Sequence, residues 1–302
     1  MISLLLAAGL SAGAAAVPDE TFVALGQDKS SRMTVSVKLE GGETMPFVVD
    51  TGAERTVISQ QLADRMNYRR GPVLNLVTVT GTGKVNTVIV PGLEVSGTRV
   101  KDIQAPALDR AHIGAHGMLG IDSLQKRRVM LDFKKGEMRV MPSRRVEDTD
   151  PDTIVVRARS KFGQLILVDA RFLGERVKVI IDTGSQTSIG NLALLGRLQL
   201  KKKALMLAPV SLTSVTGQSI PAQFAYVDKI QIGGADFNNI PVAFANAEPF
   251  RRFGLANQPA LLLGMDALRL FERVSVDFAN KQVRFILPGM SALGQRVLVA
   301  SR

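Results

Sequence analysis

Short apolar segments between turn residues recur along the chain, and one of them alternates with polar residues in the period of two that is typical of β-strands. In the clearest run, three apolar positions alternate with polar ones before a Gly41-Gly42 turn: Val35, Val37 and Leu39. This arrangement predicts a β-hairpin. Helical periodicity is confined to short stretches, such as the one that follows a capping residue at Ser59. The pattern therefore predicts an all-β protein with short helices.

The second half of the chain repeats the first. Aligning Asp50 with Asp182 also brings Gly42 onto Gly174 without a gap. A closing hairpin recurs in the same order, and so does an apolar segment that ends in glycine, found at Leu119-Gly120 and Leu263-Gly264. The repeat extends over about 110 residues, which is typical of an internal duplication. We therefore predict two lobes of similar fold that are related by a pseudo-twofold axis.

Composition divides the chain into four segments. Residues 1–16 are apolar and end in small residues, which is typical of a secretory signal peptide cleaved near Val17. Residues 17–142 form the first predicted lobe, 143–160 a polar linker, and 161–302 the second lobe with a short C-terminal tail. Because no Lys or Arg follows Met1 directly, retention of the leader as a weak membrane anchor is the alternative. We expect a periplasmic or secreted protein.

The net charge and the cysteine content favour some functions for this chain and exclude others. The formal net charge of the 302 residues is +11, which favours acidic partners such as the lipids or polymers of a cell envelope. Nucleic-acid binding is not favoured, because the chain has no Trp, only 2 Tyr and no recognised binding motif. The absence of cysteine excludes disulfide bonds, thiol catalysis and thiolate metal sites.

An Asp-Thr-Gly sequence follows a buried-strand pattern in each repeat, at residues 50–52 and 182–184. One carboxylate therefore ends a strand in each lobe, and we expect Asp50 and Asp182 to meet across the pseudo-twofold axis. Two adjacent carboxylates share one proton over a range of pH, because like charges repel. Such a pair can activate water as a general base while its protonated member acts as general acid. A carboxyl pair of this kind therefore predicts amide hydrolysis that needs neither a metal nor a cofactor.

The residues beside the two aspartates are suited to support this pair. Thr51 and Thr183 can donate hydrogen bonds to backbone across the axis, and Gly52 and Gly184 allow two backbones to approach closely. The alternative is a duplicated β-domain that retained these turns for structure alone. The free-energy cost of burying two carboxylates without a use argues against that alternative.

The chain resembles the retropepsin-like aspartic peptidases, in an exported bacterial form with two lobes fused in one chain. The resemblance covers residues 33–287 and rests on the two Asp-Thr-Gly turns and the two apolar-apolar-Gly segments. It implies an aspartic endopeptidase that hydrolyses a peptide or protein substrate with a water activated between Asp50 and Asp182. It further implies that two hairpins close over the bound peptide as flaps, with these residues near their tips: Gly81, Thr82, Gly83, Thr216 and Gly217.

Two alternatives stay open beside this interpretation. The first is a peptide-binding or envelope-scaffold protein that uses the same fold without catalysis. The second concerns the oligomeric state: we expect a monomer, because the linker holds both aspartates in one chain at a high effective concentration. A homodimer in which two chains pair lobe to lobe is the alternative.

Other recurring or paired polar residues are expected to be structural. Asp122 and Asp266 occur in the two repeats just ahead of short helix-like stretches, which predicts helix N-capping rather than catalysis. His112 and His116 have the spacing of a metal pair on a helix. Two glycines within the same stretch predict a loop instead, so we do not expect metal binding.

Overall fold

The computed structural model describes residues 22–24, 26–27, 32–124, 127–143, 153–167, 170–200, 205–233, 235–288 and 297–299. This part of the chain is mainly β with short helices, which confirms the predicted fold class. The predicted leader, residues 1–16, and residues 144–152 of the predicted linker lie outside these ranges. None of the helices within them is long and apolar enough to cross a membrane.

The elements of the two halves follow one another in similar order. Those of the first half are β1 (Phe22–Ala24), β2 (Gly26–Gln27), β3 (Met33–Leu39), β4 (Thr44–Val49), β5 (Val57–Ser59), α1 (Gln60–Arg65), β6 (Arg70–Thr78), β7 (Gly81–Val95), β8 (Thr98–Leu108), α2 (Arg110–Ile113), β9 (Gly117–Leu119), α3 (Ile121–Leu124), β10 (Arg127–Asp132) and β11 (Glu137–Pro142). Those of the second half are β12 (Thr153–Lys161), β13 (Gln164–Leu167), β14 (Ala170–Phe172), β15 (Glu175–Arg176), β16 (Lys178–Ile181), β17 (Ser188–Gly190), α4 (Leu192–Leu200), β18 (Ala208–Thr213), β19 (Ser219–Val227), β20 (Ile230–Ile232), β21 (Ala235–Asn238), β22 (Ile240–Phe244), α5 (Glu248–Arg252), β23 (Ala260–Leu263), α6 (Met265–Leu268), β24 (Arg273–Asp277), β25 (Gln282–Ile286) and β26 (Val297–Val299).

The strand order of the first lobe recurs in the second. In the first lobe the order is β3-β4-β9-β5-β8-β7-β6, and in the second it is β13-β16-β23-β17-β22-β19-β18. Strand β4 pairs in parallel with β9, and β16 pairs in parallel with β23. Because both lobes repeat the same parallel pair, the strand that ends at each aspartate has the same neighbour in each lobe.

Local sequence signals account for the first hairpin and the first helix. Strand β3 buries its apolar alternate positions and exposes Ser36 and Lys38, as the period of two predicts. The turn into β4 uses Gly41 and Gly42, whose φ angles are 103° and 91°. Helix α1 begins after Ser59, whose side chain accepts a hydrogen bond from the amide of Leu62, so the predicted cap is confirmed.

The two lobes are joined by a continuous sheet. Strand β10 of the first lobe pairs antiparallel with β24 of the second. Strand β12 pairs with both β25 and β13, although residues 143–160 were predicted to be a linker. Ile154 and Val156 are buried and alternate with more exposed residues, so this short apolar pattern outweighs the polar composition of the segment.

One apolar core extends through both lobes. It includes the strands that lead to the aspartates and the segments beside them, with Phe47, Val49 and Leu119 in the first lobe and Val179, Ile181 and Leu263 in the second. The lobes therefore pack as one unit around the strand ends at which Asp50 and Asp182 lie.

Candidate active site

Each aspartate follows a buried strand and is held by the neighbouring parallel strand. The amide of Asp50 donates a hydrogen bond to the carbonyl of Leu119 at 3.0 Å. The amide of Asp182 donates to the carbonyl of Leu263, also at 3.0 Å. The apolar-apolar-Gly segment of each lobe therefore fixes the position of the turn that carries the carboxyl group.

Thr51 and Thr183 join the two turns through hydrogen bonds that cross between the lobes. The Thr51 hydroxyl donates to the carbonyl of Ile181 at 3.0 Å and accepts from the amide of Thr183 at 3.2 Å. The Thr183 hydroxyl donates to the carbonyl of Val49 at 2.7 Å and accepts from the amide of Thr51 at 3.0 Å. Both threonines are buried, so water does not compete for these bonds. We call this set of bonds the threonine interlock; it brings the two aspartates together.

The side chains of Asp50 and Asp182 lie side by side at the floor of a cleft, 7% and 9% exposed. One oxygen of Asp50 accepts hydrogen bonds from the amides of Gly52 and Ala53, at 2.8 and 2.9 Å. One oxygen of Asp182 accepts from the amide of Gly184 at 3.0 Å. The titration of each carboxyl group depends on the other, because the two groups lie close together. Since like charges repel, such a pair favours a state that holds one proton.

Burial raises the pKa of both aspartates above the ordinary value of 3.8. For Asp182 the negative charge of Asp50 adds to the effect of burial, and its pKa rises to about 7. On both aspartates the amides of the turn and the positive charge of Arg32 act in the opposite direction and favour the ionised form. The two groups therefore titrate as a coupled pair, in which the charge of Asp50 raises the pKa of Asp182.

Gly184→Ala is expected to destabilise the protein by about 1–3 kcal/mol through overpacking. A β-carbon at Gly184 would lie less than 3.0 Å from all three atoms of the Asp50 carboxyl group. Because atoms do not approach so closely, this carboxyl group has to move away from its partner. Urea unfolding measures the loss of stability.

Gly196→Ala is the matched control for this substitution. Gly196 lies in α4, and a β-carbon there would have no neighbour within 4 Å. Because alanine favours the helix, this variant should be about 1 kcal/mol more stable than the wild type. Equal unfolding free energies for the two variants would contradict the close approach at Gly184.

Asp122 and Asp266 support the chain that follows the two turns, and the prediction that they cap helices is wrong. Asp122 accepts hydrogen bonds from the amide and hydroxyl of Thr56, at 2.8 and 2.7 Å. Asp266 accepts from the amide and hydroxyl of Ser188, at 2.9 and 2.7 Å. Both aspartates are second residues of short helices, α3 and α6, which therefore begin before them. Burial raises the pKa of Asp266 to about 6.

A cleft of about 790 Å³ separates the paired aspartates from two β-hairpins. The first hairpin, formed by β6 and β7, reverses direction at Val79 and Thr80. The second, formed by β18 and β19, reverses at residues 214–218. The hydroxyl of Thr80 donates to the hydroxyl of Ser214 at 3.0 Å. The tips of the two hairpins therefore touch each other over the cleft.

Of the residues predicted near the hairpin tips, three lie on a strand and two lie in a turn. Gly81, Thr82 and Gly83 lie on β7, so the first reversal falls before the Thr-Gly sequence that was predicted to form it. Thr-Gly is a turn signal, but here the ladder of β6 and β7 continues through it, and Thr82 borders the cleft. Thr216 and Gly217 do lie in the second turn, where Gly217 has a φ angle of 80°.

Sequence reasoning missed a charged contact between the lobes at the cleft. Arg252 of α5 pairs with Glu54, which follows the first turn, at 2.5 and 2.8 Å. The ring of Phe162 lies 4.2 Å from the Arg252 guanidinium carbon. Glu54 and Arg252 are 198 positions apart, so no local pattern could have indicated the pair.

The two histidines lie in different local structures. His112 is in α2, so the loop predicted for this stretch is wrong at that position. It contacts the second hairpin, since a β-carbon at Gly217 would lie 2.6 Å from its imidazole. His116 lies beyond Gly114, the residue that ends the helix. Among the residues that the structure describes, no group of three or more His, Asp or Glu side chains could hold a metal ion.

Both lobes match models of known protein families. Residues 35–126 match a model described as "gag-polyprotein putative aspartyl protease", and residues 168–267 match a model described as "Aspartyl protease". Each match contains one Asp-Thr-Gly turn and one apolar-apolar-Gly segment. No curated protein matched the chain.

Proposed function

The chain carries two aspartyl protease domains in tandem, as expected for a retropepsin-like protease with two fused lobes, and we propose that it is an aspartic endopeptidase with Asp50 and Asp182 as its catalytic pair. The observation that carries the proposal is the threonine interlock, which holds both carboxyl groups at the floor of one cleft. Since each lobe contributes one carboxyl group, the proposed activity requires both lobes.

In the proposed reaction, ionised Asp50 takes a proton from a water molecule, whose oxygen attacks the carbonyl carbon of the peptide bond. Protonated Asp182 donates its proton to the carbonyl oxygen, so the tetrahedral intermediate carries no net charge. Asp50 then gives its proton to the leaving nitrogen as the C–N bond breaks. One hydroxyl of the intermediate returns its proton to Asp182, and the pair regains its starting protonation state.

We place an extended peptide substrate in the cleft, beneath the two hairpins. Residues of both hairpins border this space, among them Val79 and Thr82 of the first and Val215 of the second. In this proposal the hairpins act as flaps. The contact between Thr80 and Ser214 then has to open for a peptide to enter.

One chain supplies both aspartates, so a monomer is proposed as the active species, with a homodimer as the alternative. Three statements stay predictions: that residues 1–16 direct export, that the protein is periplasmic or secreted, and that its basic surface contacts an acidic envelope.

Cleavage of a peptide library by the full-length chain tests the proposal. Analysed by mass spectrometry between about pH 3 and pH 8, the protein is expected to cut internal peptide bonds. The rate should fall as the pH rises through about 7, because Asp182 then loses the proton that it donates. A pepstatin-type inhibitor is expected to bind in the cleft and to stop the reaction.

The outcomes separate the alternatives. Lack of cleavage across this pH range overturns the proposal. Inhibitor binding without cleavage supports the peptide-binding or scaffold protein instead. Sedimentation of the active species distinguishes a single chain from a homodimer.

A further inference from the structure

Two buried side chains donate hydrogen bonds to the backbone of the aspartate turns. Arg32, which is 6% exposed, donates to the carbonyl of Gly184 at 3.5 Å and also to the carbonyl of Ile113. Gln164, which is 4% exposed, donates to the carbonyl of Gly52. Each side chain thus reaches from one lobe to the turn of the other lobe.

Arg32 and Gln164 are equivalent positions of the duplicated lobes. They are separated by the same 132 positions as Thr51 and Thr183. The glycines whose carbonyls they bind are separated by the same number. The same connection between lobes is therefore made twice, once by a guanidinium and once by an uncharged amide.

The charge of Arg32 acts directly on the paired aspartates. It lowers the pKa of Asp50 and of Asp182, against the effect of burial. A pair that holds one proton carries one negative charge, and a buried cation nearby offsets the cost of removing that charge from water. Gln164 offers a hydrogen bond at the equivalent place but no such charge.

Other charged groups around the cleft come from three segments: Glu54 and Arg55 after the first turn, His112 on α2, and Glu248, Arg251 and Arg252 on α5. Glu54 forms an ion pair with Arg252, and Glu248 forms one with Arg251. Arg55 and His112 are exposed to solvent. Water screens these exposed charges, whereas Arg32 is buried.

We propose that Arg32 is a positioning residue that makes the two halves of the site electrostatically unequal and so keeps one aspartate ionised at acidic pH. Gln164 makes the equivalent hydrogen bond without a charge, so only one half of the duplicated site has a cation at this position. The consequence for catalysis rests on the proposed peptidase function. The effect on the titration of Asp50 and Asp182 does not.

Carbon-13 NMR of the full-length chain, labelled at the aspartate carboxyl carbons, tests the proposal without any substrate. Spectra of Asp50→Asn and Asp182→Asn assign the two signals. In Arg32→Gln, which retains an amide donor, the first ionisation of the pair should move to higher pH by about one to three pH units. Arg32→Lys, which retains the charge, should titrate close to the wild type.

Two further variants keep the test decisive. Gln164→Lys adds a positive charge on the other side and should lower the first ionisation, which provides a test in the opposite direction if Arg32→Gln does not fold. Arg99→Gln, at an exposed residue paired with Glu40, is the control that should not change the titration. Wild-type titration in both Arg32→Gln and Gln164→Lys overturns the proposal, and so does an equal shift in Arg32→Gln and Arg32→Lys.

The same variants separate this inference from the proposed function. If the chain hydrolyses peptides, the acidic limb of the rate profile should move to higher pH in Arg32→Gln, together with the NMR titration. If the chain hydrolyses nothing, the peptidase proposal fails. The NMR titration still decides the role of Arg32.

Discussion

Asp50→Asn is expected to lower kcat/KM for peptide hydrolysis by about 10²-fold to 10⁴-fold, because an amide cannot take a proton from water. The substitution preserves the shape of the side chain. Its remaining oxygen can still accept the amide hydrogen bonds of Gly52 and Ala53, so the turn should be retained. Asp182→Asn should have an effect of similar size. The double variant should be little worse than either, since the two groups act as one unit.

Asp64→Asn is the matched control for these substitutions. Asp64 lies on the exposed face of α1, where it accepts a hydrogen bond from Gln60 at 2.7 Å. The same chemical change at this position should leave the rate at the wild-type value. Undiminished hydrolysis by Asp50→Asn would show that another site performs the reaction.

The free energy of unfolding is expected to fall by about 4 kcal/mol between about pH 4 and pH 8, relative to the Asp182→Asn variant. In the unfolded chain Asp182 has its ordinary pKa of 3.8, and in the folded protein burial and the charge of Asp50 raise it to about 7. Between these two values the folded state binds a proton that the unfolded state has lost. The stabilisation is therefore complete below the unfolded pKa and is lost as the pH rises through the folded pKa.

Urea unfolding at a series of pH values measures this effect without a substrate. Asp182→Asn removes one titrating group from both states. Because Asp50 is coupled to Asp182, the difference between the two proteins reports the titration of the pair. Asp266, whose pKa burial raises to about 6, is present in both proteins, and its contribution cancels. A difference that does not change with pH would contradict the pKa of Asp182 and weaken the case for a shared proton.

Local sequence patterns were sufficient to predict several elements of the first lobe. Alternation in β3, the two glycines of its turn and the cap at Ser59 were all visible in the sequence, because each depends on residues a few positions apart. The duplication could be recognised without an accurate prediction of any single element, because the same order of motifs recurs over a long stretch of the chain.

The errors have a common physical cause. Composition suggested a linker up to residue 160, but pairing with β25 and β13 makes a strand from Thr153 onward. The Thr-Gly signal placed the first hairpin turn too late, because pairing across the hairpin decides where the chain reverses. Asp122 looked like a cap, but its partner Thr56 is 66 positions away. In each case pairing in the folded chain outweighed a local signal: within one hairpin for the turn, and with residues distant in sequence for β12 and Asp122.

By itself, the sequence determined that two similar β-lobes each end a buried strand in Asp-Thr-Gly, because strand alternation, turn glycines and repeats are properties of the chain alone. Only the tertiary structure decided that the two carboxyl groups lie together in one cleft, that burial raises the pKa of both, and that Arg32 and Gln164 connect the lobes with unequal charge. Those features depend on burial and on atoms that the opposite lobe supplies, and a linear pattern contains neither.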